Sequence, residues 1–195
     1  MRNTIKTQRL ILRRWKTSDK YDLYEYARLD TVGPMAGWAP HRSVEESANV
    51  ILTSLINKGT FCITLRETGK VIGSIGLHRT QLCQNDRDLY SLELGYVLNP
   101  RFWGCGYVPE AAFAYIEYAF ADMHVDELWC ACFDFNERSR RALEKCGFVY
   151  QYDKMVKIAQ LGDLEVNEKI HLLTRERFLY LTAGDRQPRG RAGSV

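Results

Sequence analysis

The apolar positions along this chain change their period several times, and each change marks an element. In "TQRLILRRW" they alternate loosely, which predicts a strand from Arg9 to Arg14, followed by a helix capped by Thr17 or Ser18. After the irregular "TVGPMAGWAPH", Ser43 and Glu46 have capping-box spacing. Ala48, Ile51, Leu52 and Leu55 then recur on one helical face, and Gly59 suits the C-terminal cap. Two strands follow, "FCITLR" and "VIGSIGLH", joined by "ETGK", whose Gly69 fits a tight hairpin. The polar "TQLCQNDRD" reads as a loop or a longer hairpin connection. In "YSLELGYVL", Leu92, Leu94, Tyr96 and Leu98 share one strand face while Glu93, Gly95 and Val97 share the other, so the carboxylate points where the glycine points.

Farther on, Ala112, Phe113, Ile116, Ala119 and Phe120 return to helical spacing as an apolar stripe. "ELWCACFDF" is a strand, and "NERSRRALEKCGF" is a helix with Asn136 near its start and Gly147 just past its end. "VYQYDKMVKI" and "EKIHLLT", separated by a turn at Gly162-Asp163, read as a closing hairpin. The polar, Gly- and Pro-rich end predicts disorder, which gives one domain over residues 1–178 and a disordered tail over 179–195. The order is strand, two helices, three strands, helix, strand, helix, two strands. Consecutive strands without helices imply antiparallel pairing, and the strand-helix-strand step implies one parallel crossover. The expectation is a single-domain α/β fold with a mixed, mostly antiparallel sheet of about seven strands flanked by about four helices.

Composition narrows the classes of function. With 46% hydrophobic and 26% charged residues in 195, the chain can bury one substantial core. A net charge of +3 is too small to name a partner and carries no strong nucleic-acid signal. No stretch approaches the roughly 18 apolar residues of a membrane span, and the N-terminus lacks the apolar region of a secretory signal. The six cysteines, Cys62, Cys83, Cys105, Cys130, Cys132 and Cys146, contain no C-x-x-C pair, so zinc spacing is absent and free thiols in a reducing cytoplasm are expected. Four histidines form no motif, and no metal is expected.

The stretch "NPRFWGCGYVPEAAFAY" holds the candidate chemistry. A short loop that leaves a strand and enters a helix presents unpaired N–H groups at the positive end of the helix dipole, a ready anion site. Gly104 and Gly106 let the backbone curl and admit a phosphate or pyrophosphate, and Arg101 adds a positive charge at the rim. Without Gly-Lys-Ser/Thr this is not a P-loop, and without a third glycine it is not the dinucleotide fingerprint. A plain structural turn is the competing reading. Cys105 lies where a thiol pKa can fall, but no histidine lies nearby in sequence to support an acyl-cysteine route.

"VLNPRFWGCGYVPEA" resembles the acetyl-CoA signature of the GNAT N-acetyltransferases, R/Q-x-x-G-x-G/A. "NERSRRALEKCGF" resembles that family's second motif as used by the RimJ/RimL-like branch, and "TQRLILRRW" resembles that branch's first strand. Together they span Thr7 to Phe148 in the family's order. The resemblance implies that backbone N–H groups across Arg101, Phe102, Trp103, Gly104, Cys105, Gly106 and Tyr107 cradle the CoA pyrophosphate. It places the pantetheine arm along Tyr96 and Val97, where a backbone N–H polarises the acetyl carbonyl, gives Asn136 a hydrogen bond to pantetheine and sets Ser139 near the thioester sulfur. Glu93 is the candidate base, with a solvated carboxylate as the competing reading. Leu143 holds the position where the family often has a tyrosine, so Ser139 or water is left as proton donor. Trp38 falls in the acceptor region, where it lines a pocket or fills the core, and Arg140 or Arg141 is the candidate for the CoA 3′-phosphate.

The function implied is direct, acetyl-CoA-dependent acetylation of a primary amine, either a protein N-terminus or a small molecule. The alternative is a non-catalytic acyl-CoA-binding sensor or scaffold, which would not need Glu93. A homodimer is left open.

Overall fold

The computed structural model describes residues 2–56, 59–83 and 89–185. Its strands are β1 (Thr4–Lys6), β2 (Leu10–Arg14), β3 (Thr60–Leu65), β4 (Val71–Arg79), β5 (Ser91–Leu98), β6 (Glu127–Phe133), β7 (Val149–Ile158) and β8 (Leu164–Thr174). Its helices are α1 (Lys20–Ala27), α2 (Val44–Val50), α3 (Tyr107–Ala121), α4 (Glu137–Lys145) and α5 (Arg175–Asp185). One sheet runs in the order β1-β2-β3-β4-β5-β6-β8-β7, with every neighbouring pair antiparallel except β5–β6. The mixed, mostly antiparallel sheet is as expected; eight strands and five helices replace the expected seven and four. Three-residue β1 is too short to show a period.

The alternation in β5 divides two cores. Leu92, Leu94 and Leu98 face α3 and α4 in the larger cluster, while Val97 packs on the smaller one built around Trp15, Tyr26 and Ile51. In the predicted stripe of α3, Phe113 is 43% exposed, but its ring lies 5.2 Å from that of Phe178 on α5. Phe178 also meets Phe120 at 5.4 Å and is almost fully buried. Burying it contributes about 1.5–3 kcal/mol, which accounts for α5 continuing where the sequence suggested a tail from residue 179. The disorder expected for 186–195 lies outside the described residues, as does most of the "TQLCQNDRD" connection.

Two capping expectations change in detail. Asp19, rather than Thr17 or Ser18, fixes the approach to α1: its Oδ2 accepts from Lys16 N at 2.8 Å, and Arg13 forks onto both its oxygens. At α2, Ser43 Oγ accepts from Glu46 N, but the Glu46 carboxylate returns to Arg42 N instead of Ser43 N. α2 then widens into a π turn over Ile51–Leu55, and Leu52 in that turn is 53% exposed, off the predicted buried face. Among the described residues no helix is long and apolar enough to cross a membrane.

Candidate acyl-transfer site

β5 and β6 pair only over Ser91↔Glu127, Leu92↔Leu128 and Glu93↔Trp129. Beyond that point β5 stays tied to β4 as far as Gly73↔Leu98, while β6 stays tied to β8 as far as Phe133↔Glu168. Each strand follows its own outer partner through the sheet twist, and the two part. A cavity of about 1000 Å³ fills the opening. It reaches Gly104, Gly106 and Tyr107 at one end, and Trp38, Thr60, His78 and Glu93 toward the other.

At the first end, Asn99 to Tyr107 carry the chain from β5 into α3. Gly104 and Gly106 sit at φ +78° and +76°, the left-handed region where a side chain is strained. Gly106 occupies the N-cap position, so α3 has no side chain covering its first N–H groups. Two clamps hold the loop from outside. At its entry, buried Asn99 accepts from Arg101 N at 3.1 Å and donates to Glu25 at 3.0 Å, and Glu25 is itself gripped by Lys70 at 2.7 Å. Hydrogen bonding to Lys70, then to Asn99, holds the Glu25 carboxyl below its ordinary pKa despite the opposing cost of burial.

At the exit, Glu110 accepts from Thr7 Oγ1 at 2.5 Å, Arg9 N at 2.8 Å and Arg9 Nε at 2.6 Å. The same guanidinium donates to the Cys105 carbonyl at 2.9 Å and lies over the Tyr107 ring. Turning that carbonyl toward Arg9 keeps an oxygen out of a site shaped for an anion. Burial alone would raise the Glu110 pKa; the bonds from Thr7 and Arg9 outweigh it and lower it. The loop thus fits a pyrophosphate: left-handed glycines, an uncapped helix of fifteen residues and a carbonyl tied back.

The predicted residues divide. Tyr96, Val97, Phe102, Trp103, Gly104, Gly106, Tyr107, Asn136, Ser139, Glu93 and Trp38 all line the one cavity, while Arg101 and Cys105 do not. Arg101 is largely exposed and reaches Glu25 at 3.4 Å; Cys105 is exposed on the loop. Trp103 Nε1 donates to Leu98 O, with Arg138 over its ring. Asn136 Oδ1 is occupied in capping α4, accepting from Ser139 N at 3.1 Å, which leaves its amide N–H groups for a ligand. Arg140 is engaged by Glu137 and Glu144, whereas Arg138 and Arg141 line the cavity. Cys130 and Cys132 are buried as core expects, yet also border the cavity.

Two pieces of acid-base chemistry face the opening. Burial raises the Glu93 carboxyl above its ordinary pKa, the like charge of Glu168 adds to this and Lys154 opposes it. Across the gap, Tyr96 Oη lies 2.9 Å from Ser139 Oγ and 3.1 Å from Ser139 O. Burial is the main reason the Tyr96 phenol is held well above its usual pKa, so it stays protonated. Leu143 is buried, and this phenol supplies a hydroxyl on α4's flank although that helix has no tyrosine there.

Sequence reasoning missed Arg9, Thr60, His78, Glu110 and Glu168. Arg9 and Thr7 belong to the "TQR" already singled out, but their partner Glu110 lies about a hundred positions away.

Residues 9–149 match the model of the acetyltransferase (GNAT) domain. YoaA of Bacillus subtilis, an uncharacterized N-acetyltransferase, is 30% identical over 149 residues, which cover 74% of this chain and 81% of that protein. Among solved structures, a GNAT-family acetyltransferase from Bacillus anthracis superposes with a TM-score of 0.76 at 24% identity, covering 89% of this chain and 99% of its own. The ribosomal-protein-S5-alanine acetyltransferase of Vibrio fischeri superposes at 0.67 and 17% identity, covering 90% and 98%. The parted strands, the glycine loop at the head of α3 and the match over residues 9–149 lead to one conclusion: this chain belongs to the GNAT family of acetyltransferases.

Proposed function

We propose that this protein transfers an acetyl group from acetyl-CoA directly to a primary amine, either a protein N-terminal amine or a small molecule. The observation that carries the reading is the parting of β5 from β6 over a cavity that runs from the uncapped N-terminus of α3 to Glu93. The loop N–H groups hold the pyrophosphate, and the amide of Asn136 meets the pantetheine arm. The free edge of β5 beyond Glu93 offers an N–H to the acetyl carbonyl, where charge builds during attack. Glu93, directly or through a water, removes the proton that the attacking nitrogen must lose. As the new N–C bond forms and the C–S bond breaks, the departing thiolate takes a proton from Ser139 Oγ, which Tyr96 Oη can replenish. Membership of the RimJ/RimL-like branch and a cytoplasmic setting complete the reading; six cysteines, none of them in a disulfide, support the latter.

The test is thiol release from acetyl-CoA against peptides beginning with Ala or Ser, lysine peptides, polyamines and aminoglycosides. An acetylated amine product is expected; CoA binding without transfer to any amine would leave the sensor reading instead. Glu93 adds a signature. A base must be ionised, so activity should fall as pH drops through its raised pKa, with the acidic limb above the ordinary carboxylate range. Glu93→Gln should lower turnover about a hundredfold at pH 7 and recover toward alkali, where solution supplies the neutral amine. The raised pKa also means that ionised Glu93 weakens the fold. Glu93→Gln should therefore raise Tm at neutral pH, and the gain should vanish as pH falls below the unfolded-state carboxylate value.

A further inference from the structure

Beside Glu93 the sheet carries a bare patch. Gly76↔Gly95 and His78↔Glu93 are successive pairs between β4 and β5 on one face, so the two side chains stand opposite each other and, one step along, the two glycines do the same. Gly95 is also the first residue of that face on the stretch of β5 that has parted from β6. Glycine inside a strand weakens it and marks a close approach. Here the approaching group is the His78 ring. A Cβ on Gly95 would lie 3.7 Å from His78 Cδ2 and 3.8 Å from Nε2, and a Cβ on Gly76 would lie 3.2 Å from Nε2. The imidazole is thus laid along the patch with its Nε2 end over the glycines. His78 is exposed and lines the cavity, whereas Thr60, on the other side of Gly76, is buried. The polar side chains that this patch and its margin offer to the cavity are therefore His78 and Glu93.

A primary amine attacks in its neutral form, with two N–H groups and one lone pair. Aiming the lone pair at an acyl carbon means holding both N–H groups away from it, and each needs an acceptor once water is displaced. Glu93 supplies one. Arg138, Arg141 and Lys145, elsewhere on the wall, are donors only. A neutral imidazole has one nitrogen that accepts.

We propose that His78 is a second contact for the acceptor nitrogen: Nε2 accepts one N–H of the amine while Glu93 accepts the other, which turns the lone pair toward the thioester carbon beside the free edge of β5. This rests on the acetyltransferase reading and deepens it. The tautomer required carries its proton on Nδ1. The imidazole gains no proton in this role. The hydrogen that the nitrogen loses passes to Glu93 as the N–C bond forms and the C–S bond breaks, and the thiolate is protonated from Ser139.

A ring that only filled the space above two glycines would need its shape and not its nitrogen. His78→Phe keeps a planar ring without an acceptor, and His78→Gln keeps an acceptor, its amide oxygen, without the ring. Both are assayed as the full chain by thiol release with an alanine-initiated peptide, a lysine peptide, spermidine and kanamycin, and compared on the one that wild-type protein uses fastest. His78→Phe should lower kcat about thirtyfold, with acceptor KM changed only severalfold and CoA affinity by calorimetry unchanged. His78→Gln should recover kcat to within about threefold of wild type. Wild-type kcat in His78→Phe, a His78→Gln protein no better than His78→Phe, or a loss of turnover matched by an equal loss of CoA affinity would overturn the contact while acetyl transfer itself stands. Transfer by wild-type protein to none of these acceptors would instead remove the acetyltransferase reading and this inference with it.

Discussion

The two helices that border the cavity begin in opposite ways. Both follow a strand through a short turn, β5 into α3 and β6 into α4. α4 is closed by its own sequence: Asn136 Oδ1 takes the Ser139 N–H, and Arg140 bonds Glu137 and Glu144 along the helix. α3 is left open, with glycine at the N-cap, and the restraints that keep its loop in shape come from Glu25, Thr7 and Arg9, outside the loop. A helix that caps itself gains stability. One held from behind keeps its first N–H groups for a ligand.

The largest effect should come from Gly104→Val. It places a β-branched residue at φ +78° and should weaken CoA binding by about a hundredfold or more, because the loop can no longer hold its curl. Calorimetry on variant protein with a native circular dichroism spectrum gives the measurement, and wild-type affinity would mean that the open helix end is not the anion site. Arg9→Gln should have the next effect. Releasing the Cys105 carbonyl and one arm of the Glu110 clamp should raise the CoA dissociation constant about tenfold, as expected for one charge-assisted contact, with Tm nearly unchanged.

Asn136→Ala reverses the balance. It should remove about 1 kcal/mol of stability through the lost cap, seen in urea denaturation, and weaken CoA binding only severalfold. Ser139→Ala should be smallest in binding, leaving CoA affinity intact while kcat falls by a few-fold, since Tyr96 Oη remains beside the site. If Asn136→Ala weakened CoA binding more than Gly104→Val, the distinction between the two helix entrances would collapse.

Much of this was legible in the sequence because it depends on local chemistry. The alternation in "YSLELGYVL" placed Glu93 and Gly95 on one face, and the glycines before α3 announced a turn of positive φ. Asn136 lay at a helix start, although its capping bond takes the side-chain oxygen and leaves only the amide N–H groups for a ligand. Helix α5 was hidden because "RERFLYLTAGD" shows little periodicity, and Phe178 becomes a core residue only where Phe113 and Phe120 of α3 receive it.

By itself the sequence determined the order of elements from β2 to β8, the two faces of β5 and the anion-ready turn, since each follows from neighbours along the chain. Only the tertiary structure decided that β5 and β6 part after Glu93, because each is held to a different outer strand by the twisted sheet. It also decided that Arg9, 96 positions before Cys105, turns that carbonyl away, and that Thr60, Glu93 and Glu168 share one cavity. Strand pairing and long-range hydrogen bonds join residues that no local period relates, and the site is made at those junctions.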